Sequence, residues 1–81
     1  MPYIGQHQRV LVDSGVQPRT CGELNYVITK AIKTFLGGSL SYGDINDVIG
    51  VLECAKLELY RRIAAPYEDK KCAENGDVYT T

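Results

Sequence analysis

The apolar residues of "TCGELNYVITKAIKTFLGG" fall in a regular order. Leu24, Val27, Ile28, Ala31, Ile32 and Phe35 recur at threes and fours, which places them on one face of an α-helix. Thr20 suits the N-cap, and Glu23 completes a capping box in which each side chain satisfies the other's free backbone donor. Gly37-Gly38 supplies a left-handed stop, so the predicted helix covers about residues 21–36. A second helix follows, with Ser41 as cap and Asp44 three residues on. Its apolar positions Ile45, Val48, Leu52, Ala55 and Leu59 alternate steps of three and four. That is a heptad seam of the kind that packs helices side by side, and Ile49 and Ile63 widen it. This spine runs over about residues 42–64, roughly 35 Å at the α-helical rise.

The flanks are less regular. In residues 1–19, "QHQRVLVDSG" accommodates a short helix or a strand, because Val10, Leu11 and Val12 are contiguous. Asp13-Ser14-Gly15 reads as a turn and Pro18 closes the segment. A short helix or irregular arm across the main body is the expectation. Pro66 removes a backbone donor and disfavours helix at Ala65, so the spine is expected to end or kink there. "PYEDKKCAE" then suits a short helix with acids early and lysines after. Asn75-Gly76 ends it, and "DVYTT" is an extended tail too short to fold alone, expected to dock on the body or a neighbour. With no repeat or linker, residues 1–81 read as one small all-α domain. Its parts are an arm (1–19), an antiparallel two-helix hairpin (20–64), and a short helix with extended tail (66–81).

Size then changes the picture. A single core in a chain of 81 residues supplies only about 3–5 kcal/mol of net stability, so a homo-oligomer is expected to complete the interior. Cys21, Cys54 and Cys72 lack any zinc or CxxC spacing, and the chain has one histidine, His7, so no metal or cofactor is expected. The odd cysteine count, with no apolar leader and no membrane-spanning run, points to a cytoplasmic protein whose thiols pack buried or half-buried. Formal net charge is −1. Residues 1–40 carry four basic and two acidic side chains, and residues 41–81 carry five and eight. That balance disfavours duplex nucleic acid as a partner.

Several polar residues sit where a simple core-covering helix has no use for them. Lys56 falls in the middle of the spine's apolar arc. Either its stem lies along the surface with the ammonium in water or paired to Glu53, or its charge enters a cavity shared between subunits. Arg61 and Arg62 complement the negative pole of the spine. They also suit an anion, with Tyr60 and Tyr67 able to stack on a flat ring. Asn25 and Asn46 lie in helices that asparagine disfavours: each is a buried amide with a backbone or mutual partner, or an exposed amide that reads a ligand's edge. Gly50 costs the spine about 1 kcal/mol relative to alanine, and with Cys54 it forms a small-residue strip where another helix could approach. No nucleophile motif surrounds Ser14, Ser39 or Ser41, and no catalytic residue is assigned.

With "GELNYVIT", "SYGDINDVIGVLECAKLELYRR" and "APYEDKKCAENGDVY" in view, the chain resembles a small family of uncharacterised proteins of bacteriophages and bacterial genomes. The resemblance covers about residues 20–79. It implies a phage or prophage accessory setting and carries over no catalytic residue.

The expected function is non-enzymatic. A homo-oligomer would bind and sequester a small anionic, nucleotide-like ligand in pockets between subunits, in a counter-defence role. Lys56, Arg61 and Arg62 would supply charge, Tyr60 and Tyr67 stacking, and Asn25 and Asn46 edge recognition. The rival expectation is an adaptor that inhibits a host protein through the same C-terminal surface.

Overall fold

The computed structural model describes residues 1–38 and 40–79; Ser39 and the final two threonines of the tail lie outside the described residues. Those described form four α-helices: α1 (Gln6–Asp13), α2 (Cys21–Leu36), α3 (Tyr42–Leu59) and α4 (Ala65–Asn75). A π-helical turn, Tyr60–Ala64, joins α3 to α4. The chain divides into two compact units, Met1–Ile45 and Asn46–Thr81.

In the N-terminal unit the open choice at residues 1–19 resolves to a helix. Gly5 caps α1, its N–H donating 3.0 Å to Gln8 Oε1. The helix ends in a Schellman motif: the Val16 N–H returns to the Leu11 carbonyl and the Gly15 N–H to that of Val12. Gly15 sits at φ 103°, a conformation that costs an L-residue a Cβ clash. Glycine has a different use at Gly22, in the first turn of α2. A Cβ there would stand 2.9 Å from Ile4 Cγ2, so its absence lets the N-terminal segment lie against the helix.

Thr20 caps α2 as expected, Oγ1 accepting from the Glu23 N–H at 3.0 Å. The other half of the predicted capping box is corrected. The Glu23 carboxylate accepts from the Arg19 N–H at 3.0 Å and from the Gln8 side-chain amide at 2.9 Å. A carboxylate accepts several bonds at once, and the amide of α1 offers a donor that an isolated helix lacks. Glu23 therefore joins the two helices. The glycine stop falls at Gly37, φ 67°.

Which face of α2 is covered differs from the pattern's suggestion. α1 packs on α2, and the side chain buried there is Tyr26, about 180° around the helix from Phe35 at 100° per residue. Leu24, Ile28 and Phe35 stay exposed, Phe35 at 76%. The N-terminal segment follows Gly22 and Tyr26 because only that side of α2 offers a gap for Ile4 and a hydroxyl for α1.

The spine forms over the expected residues. The Ser41 hydroxyl caps α3, accepting from the Asp44 N–H at 3.1 Å. At Pro66 the expectation of an end or a kink is met only in part: α3 stops at Leu59, but a π-helical turn carries the helical path through. Ala65 keeps helical angles (φ −62°, ψ −47°), its N–H donates to the Tyr60 carbonyl five residues back, and α4 continues with Pro66 in its first turn. The proline has no N–H to return and its ring would strike the carbonyl four residues earlier. Widening one turn by a residue accommodates both, as π-bulges do. α4 ends at Gly76, whose N–H reaches the Cys72 carbonyl at 2.8 Å. The expected tail is a short turn through residue 79, with Asp77 Oδ1 accepting from the Tyr79 N–H at 2.8 Å.

Among the described residues the buried apolar side chains are Tyr26 and Val48. Along α3, Leu52, Ala55 and Leu59 of the predicted seam are exposed, as are Ile49, Val51 and Leu57. The expectation of buried or half-buried thiols is corrected likewise: Cys72 is half-buried, whereas Cys21 and Cys54 are exposed and all three are free. One chain encloses too little volume to cover them.

Candidate functional site

A cleft bordered by basic side chains lies within the N-terminal unit. Tyr26, Thr29, Lys30 and Lys33 follow one another at i, i+3, i+4 and i+7, so α2 presents them on one face. α1 adds Arg9 and the N-terminal segment adds Tyr3, enclosing a cleft of about 260 Å³. Two cations thus stand near a buried aromatic ring, and Lys33 borders the same cleft. The Arg9 guanidinium carbon lies 5.8 Å and the Lys30 ammonium 5.9 Å from the Tyr26 ring centre, within range of a cation–π attraction.

The nearest carboxylate is already engaged. The Tyr26 hydroxyl donates to both oxygens of Asp13, at 2.9 and 3.0 Å, and Lys30 stands 3.9 Å from the same group. Arg9 donates its Nε–H to the Ile4 carbonyl at 3.0 Å, which fixes the side chain while leaving its terminal nitrogens for another acceptor. Among the described residues, no carboxylate lies within 4.0 Å of the Arg9 or Lys33 cation. The bland account of Lys33 is that it complements the negative end of α2; Arg9 reaches in from α1, held by the Ile4 carbonyl and the Tyr26 ring. Beside the cleft, the Glu23 carboxyl is held below its ordinary pKa, first by the Arg19 backbone N–H and next by the Gln8 amide.

The seven residues singled out from the sequence are placed differently. Asn25 belongs to the N-terminal unit and the other six to the C-terminal one. Asn25 is exposed, its Oδ1 accepting from the Thr29 hydroxyl at 3.1 Å, and Asn46 is exposed too. Lys56 projects into solvent 3.2 Å from Glu53 with its side chain 70% exposed. Arg61 pairs with Glu58 at 3.0 Å, while Arg62 has no such pair among the described residues. Tyr60 donates to Glu68 at 2.6 Å, and that carboxylate holds the phenol above its ordinary pKa. Eight residues span about 80° more than two turns of a regular helix; the wider turn at 60–64 takes up that difference and aligns the pair. The Lys71 ammonium lies 5.7 Å from the Tyr67 ring centre, beside an open groove of about 410 Å³ that Val78 and Tyr79 also line. Among the described residues, no hydrogen bond or ion pair joins any two of the seven.

Sequence reasoning missed the cleft residues Arg9, Tyr26, Thr29, Lys30 and Lys33. A signal was present: four of them form a helical stripe opposite the apolar arc. A polar stripe on a helix is ordinarily its solvated side, and only the docking of α1 turns this one into a wall. Among the described residues no three His, Cys, Asp or Glu side chains converge as for a metal, and no helix is long and apolar enough to cross a membrane.

Fold and site together define a small all-helical protein, with a tied two-helix unit carrying a basic cleft and a long helical run ending in an open groove. More particularly, the chain belongs to the family described as Domain of unknown function (DUF6899), whose model matches residues 1–78. The family thus includes the N-terminal segment and α1, beyond the stretch over which the sequence motifs were recognised. No curated protein and no solved structure matches the chain.

Proposed function

We propose that this chain is a non-enzymatic accessory protein of the bacteriophage type. It assembles with copies of itself in the host cytoplasm and sequesters a small anionic, nucleotide-like ligand, as a counter-defence protein would. The observation that carries this reading is the surface of α3. Its heptad seam from Leu52 onward is exposed, and Val51 and Leu57 extend the apolar surface to its other sides. A helix that leaves apolar side chains exposed on more than one side has surface for other helices to cover. In this reading α2 and α3 pair as an antiparallel hairpin and a second copy covers the remaining seam. Gly50 marks a close approach, since a Cβ there meets nothing within 4 Å in the single chain. Lys56, Arg61 and Arg62, with Tyr60 and Tyr67, then border crevices between subunits, and Asn25 and Asn46 supply edge contacts. The phage setting rests on the resemblance of residues 20–79.

Light scattering across a dilution series, joined to a thermal-shift panel of cyclic and linear nucleotides, tests both halves. The expected results are a mass several times that of one chain and a rise in Tm that grows with ligand as RT ln(1 + [L]/Kd). A folded monomer at every concentration sinks the assembly, and a flat panel sinks the ligand. One observation favours a second reading, an adaptor for a host protein: Tyr67 and Tyr79 are exposed beside the C-terminal groove, and aromatic side chains dominate protein–protein hot spots. A monomer with a flat panel and a single captured host protein decides for it.

A further inference from the structure

We propose that the cleft between the N-terminal segment, α1 and α2 is a phosphate-binding site, complete within one chain and separate from any pocket between subunits. Positive charge is partnered unevenly along the chain. In the C-terminal unit, Lys56, Arg61 and Lys71 each lie within 3.3 Å of a carboxylate three residues away, while Arg62 and Lys70, with no such pair among the described residues, line neither the cleft nor the C-terminal groove. In the cleft, Arg9, Lys30 and Lys33 share one space, and of the three only Lys30 stands by a carboxylate, 3.9 Å from Asp13, which also accepts from the Tyr26 hydroxyl. A phosphate offers what these groups lack, several acceptor oxygens on one compact dianion.

Preorganisation supports the same assignment. Arg9 comes from α1 and the lysines from α2, so the charges converge only because the Gln8–Glu23 and Tyr26–Asp13 bonds hold the helices together. The Ile4 carbonyl fixes the Arg9 Nε and leaves the guanidinium's outer edge for a ligand. The Thr29 side chain borders the same space, with its hydroxyl hydrogen already given to Asn25 Oδ1. A volume of about 260 Å³ lies just below the usual range for small-molecule pockets, about 300–1,000 Å³. It therefore suits a phosphate group better than a whole nucleotide, whose base would rest outside, against exposed Tyr3.

The test is an amide NMR titration of the full chain with inorganic pyrophosphate and, in a parallel arm, adenosine monophosphate. Saturable shifts are expected over residues 26–33 and at Arg9, weakening as salt is raised. K33Q and K30Q should each weaken binding about tenfold, the equivalent of about 1.4 kcal/mol, while K70Q, an exposed lysine of α4 outside both proposed sites, leaves the midpoint unchanged. Binding should persist in L52D, whose substitution lies on the exposed seam of α3. Tighter binding of the nucleotide than of pyrophosphate would place a base beside Tyr3; equal binding would assign the site to the phosphate alone. Absence of saturable shifts with either probe overturns the proposal. So do shifts indifferent to both K30Q and K33Q, and binding that vanishes in a folded, monomeric L52D chain. Because the cleft needs no second copy, a monomeric protein that still binds would refute the assembly and spare this site.

Discussion

The two units hold themselves together in different ways. Met1–Ile45 is tied by side chains that cross between elements: Gln8 to Glu23, Tyr26 to Asp13, and Arg9 to the Ile4 carbonyl. Beyond Asn46 the side-chain bonds run along one helical path, between residues two, three or eight positions apart. The first arrangement specifies a tertiary fold; the second specifies only a helix. Exposed pairs of the second kind are worth little, typically below about 1 kcal/mol, so the C-terminal run needs apolar contact for lasting order. The lesson is that a polar network can define a unit whose apolar core is nearly a single tyrosine, whereas a long amphipathic seam without such a network depends on what covers it.

Substitutions can break or sharpen this contrast, the largest at Tyr26. Tyr26→Ala removes the buried ring and the partner of Asp13 together. Such truncations cost about 3–5 kcal/mol, comparable to the whole stability of a domain this small. Hydrogen exchange should then show α1 detached while α3 keeps its protection; equal loss in both units would erase the distinction.

Pro66→Ala acts on the other unit and in the opposite sense. With a donor restored and the ring gone, a regular α-turn can replace the π-turn, and urea unfolding should show a gain of about 1–2 kcal/mol, less than the full proline penalty of about 3 because Pro66 already sits in a first turn. The Tyr60–Glu68 bond should be lost with the change of register, and the phenol should then titrate lower. A retained bond would mean that the π-turn has another cause.

Gly22→Ala probes the seating of the N-terminal segment. The added methyl must displace Ile4, and overpacking costs about 1–3 kcal/mol against a helix-propensity gain of at most about 1. A net loss of about 1 kcal/mol is expected, and combining it with Ile4→Ala should recover part of that loss. Additive losses would show that the two residues do not meet.

At Gly50 the same substitution has no clash within the chain. Gly50→Ala should stabilise an isolated chain by about 1 kcal/mol but weaken an assembly in which a second helix approaches there. Urea unfolding and light scattering on one sample separate the outcomes.

Acidity gives the smallest effect. The folded state holds Glu23 below its ordinary pKa, so it favours the anion. The resulting stabilisation is complete above the ordinary glutamate value, about 4.3, and is lost as pH falls through the lowered folded value. Wild type and Glu23→Gln should therefore differ in unfolding midpoint near neutrality and converge in acid. A constant difference would show that Glu23 acts by packing instead.

Local rules accounted for the helices. The caps at Thr20 and Ser41, the stop at Gly37 and the three-and-four periodicity all act within a few residues of one another, so the chain alone declares them. The same locality limited the reading at Pro66, where a proline ends a regular helix but a widened turn escapes the rule. Tertiary structure alone decided which side of α2 would be covered. The apolar arc of Leu24, Ile28 and Phe35 announced itself by composition, yet α1 settled on the opposite face, because Glu23 and Tyr26 bond to residues 15 and 13 positions away, respectively. Periodicity records which residues share a face, but carries no information about which distant donor will meet which acceptor. The basic cleft exists only once that meeting has occurred, and no spacing along α2 could bring Arg9 to its lysines.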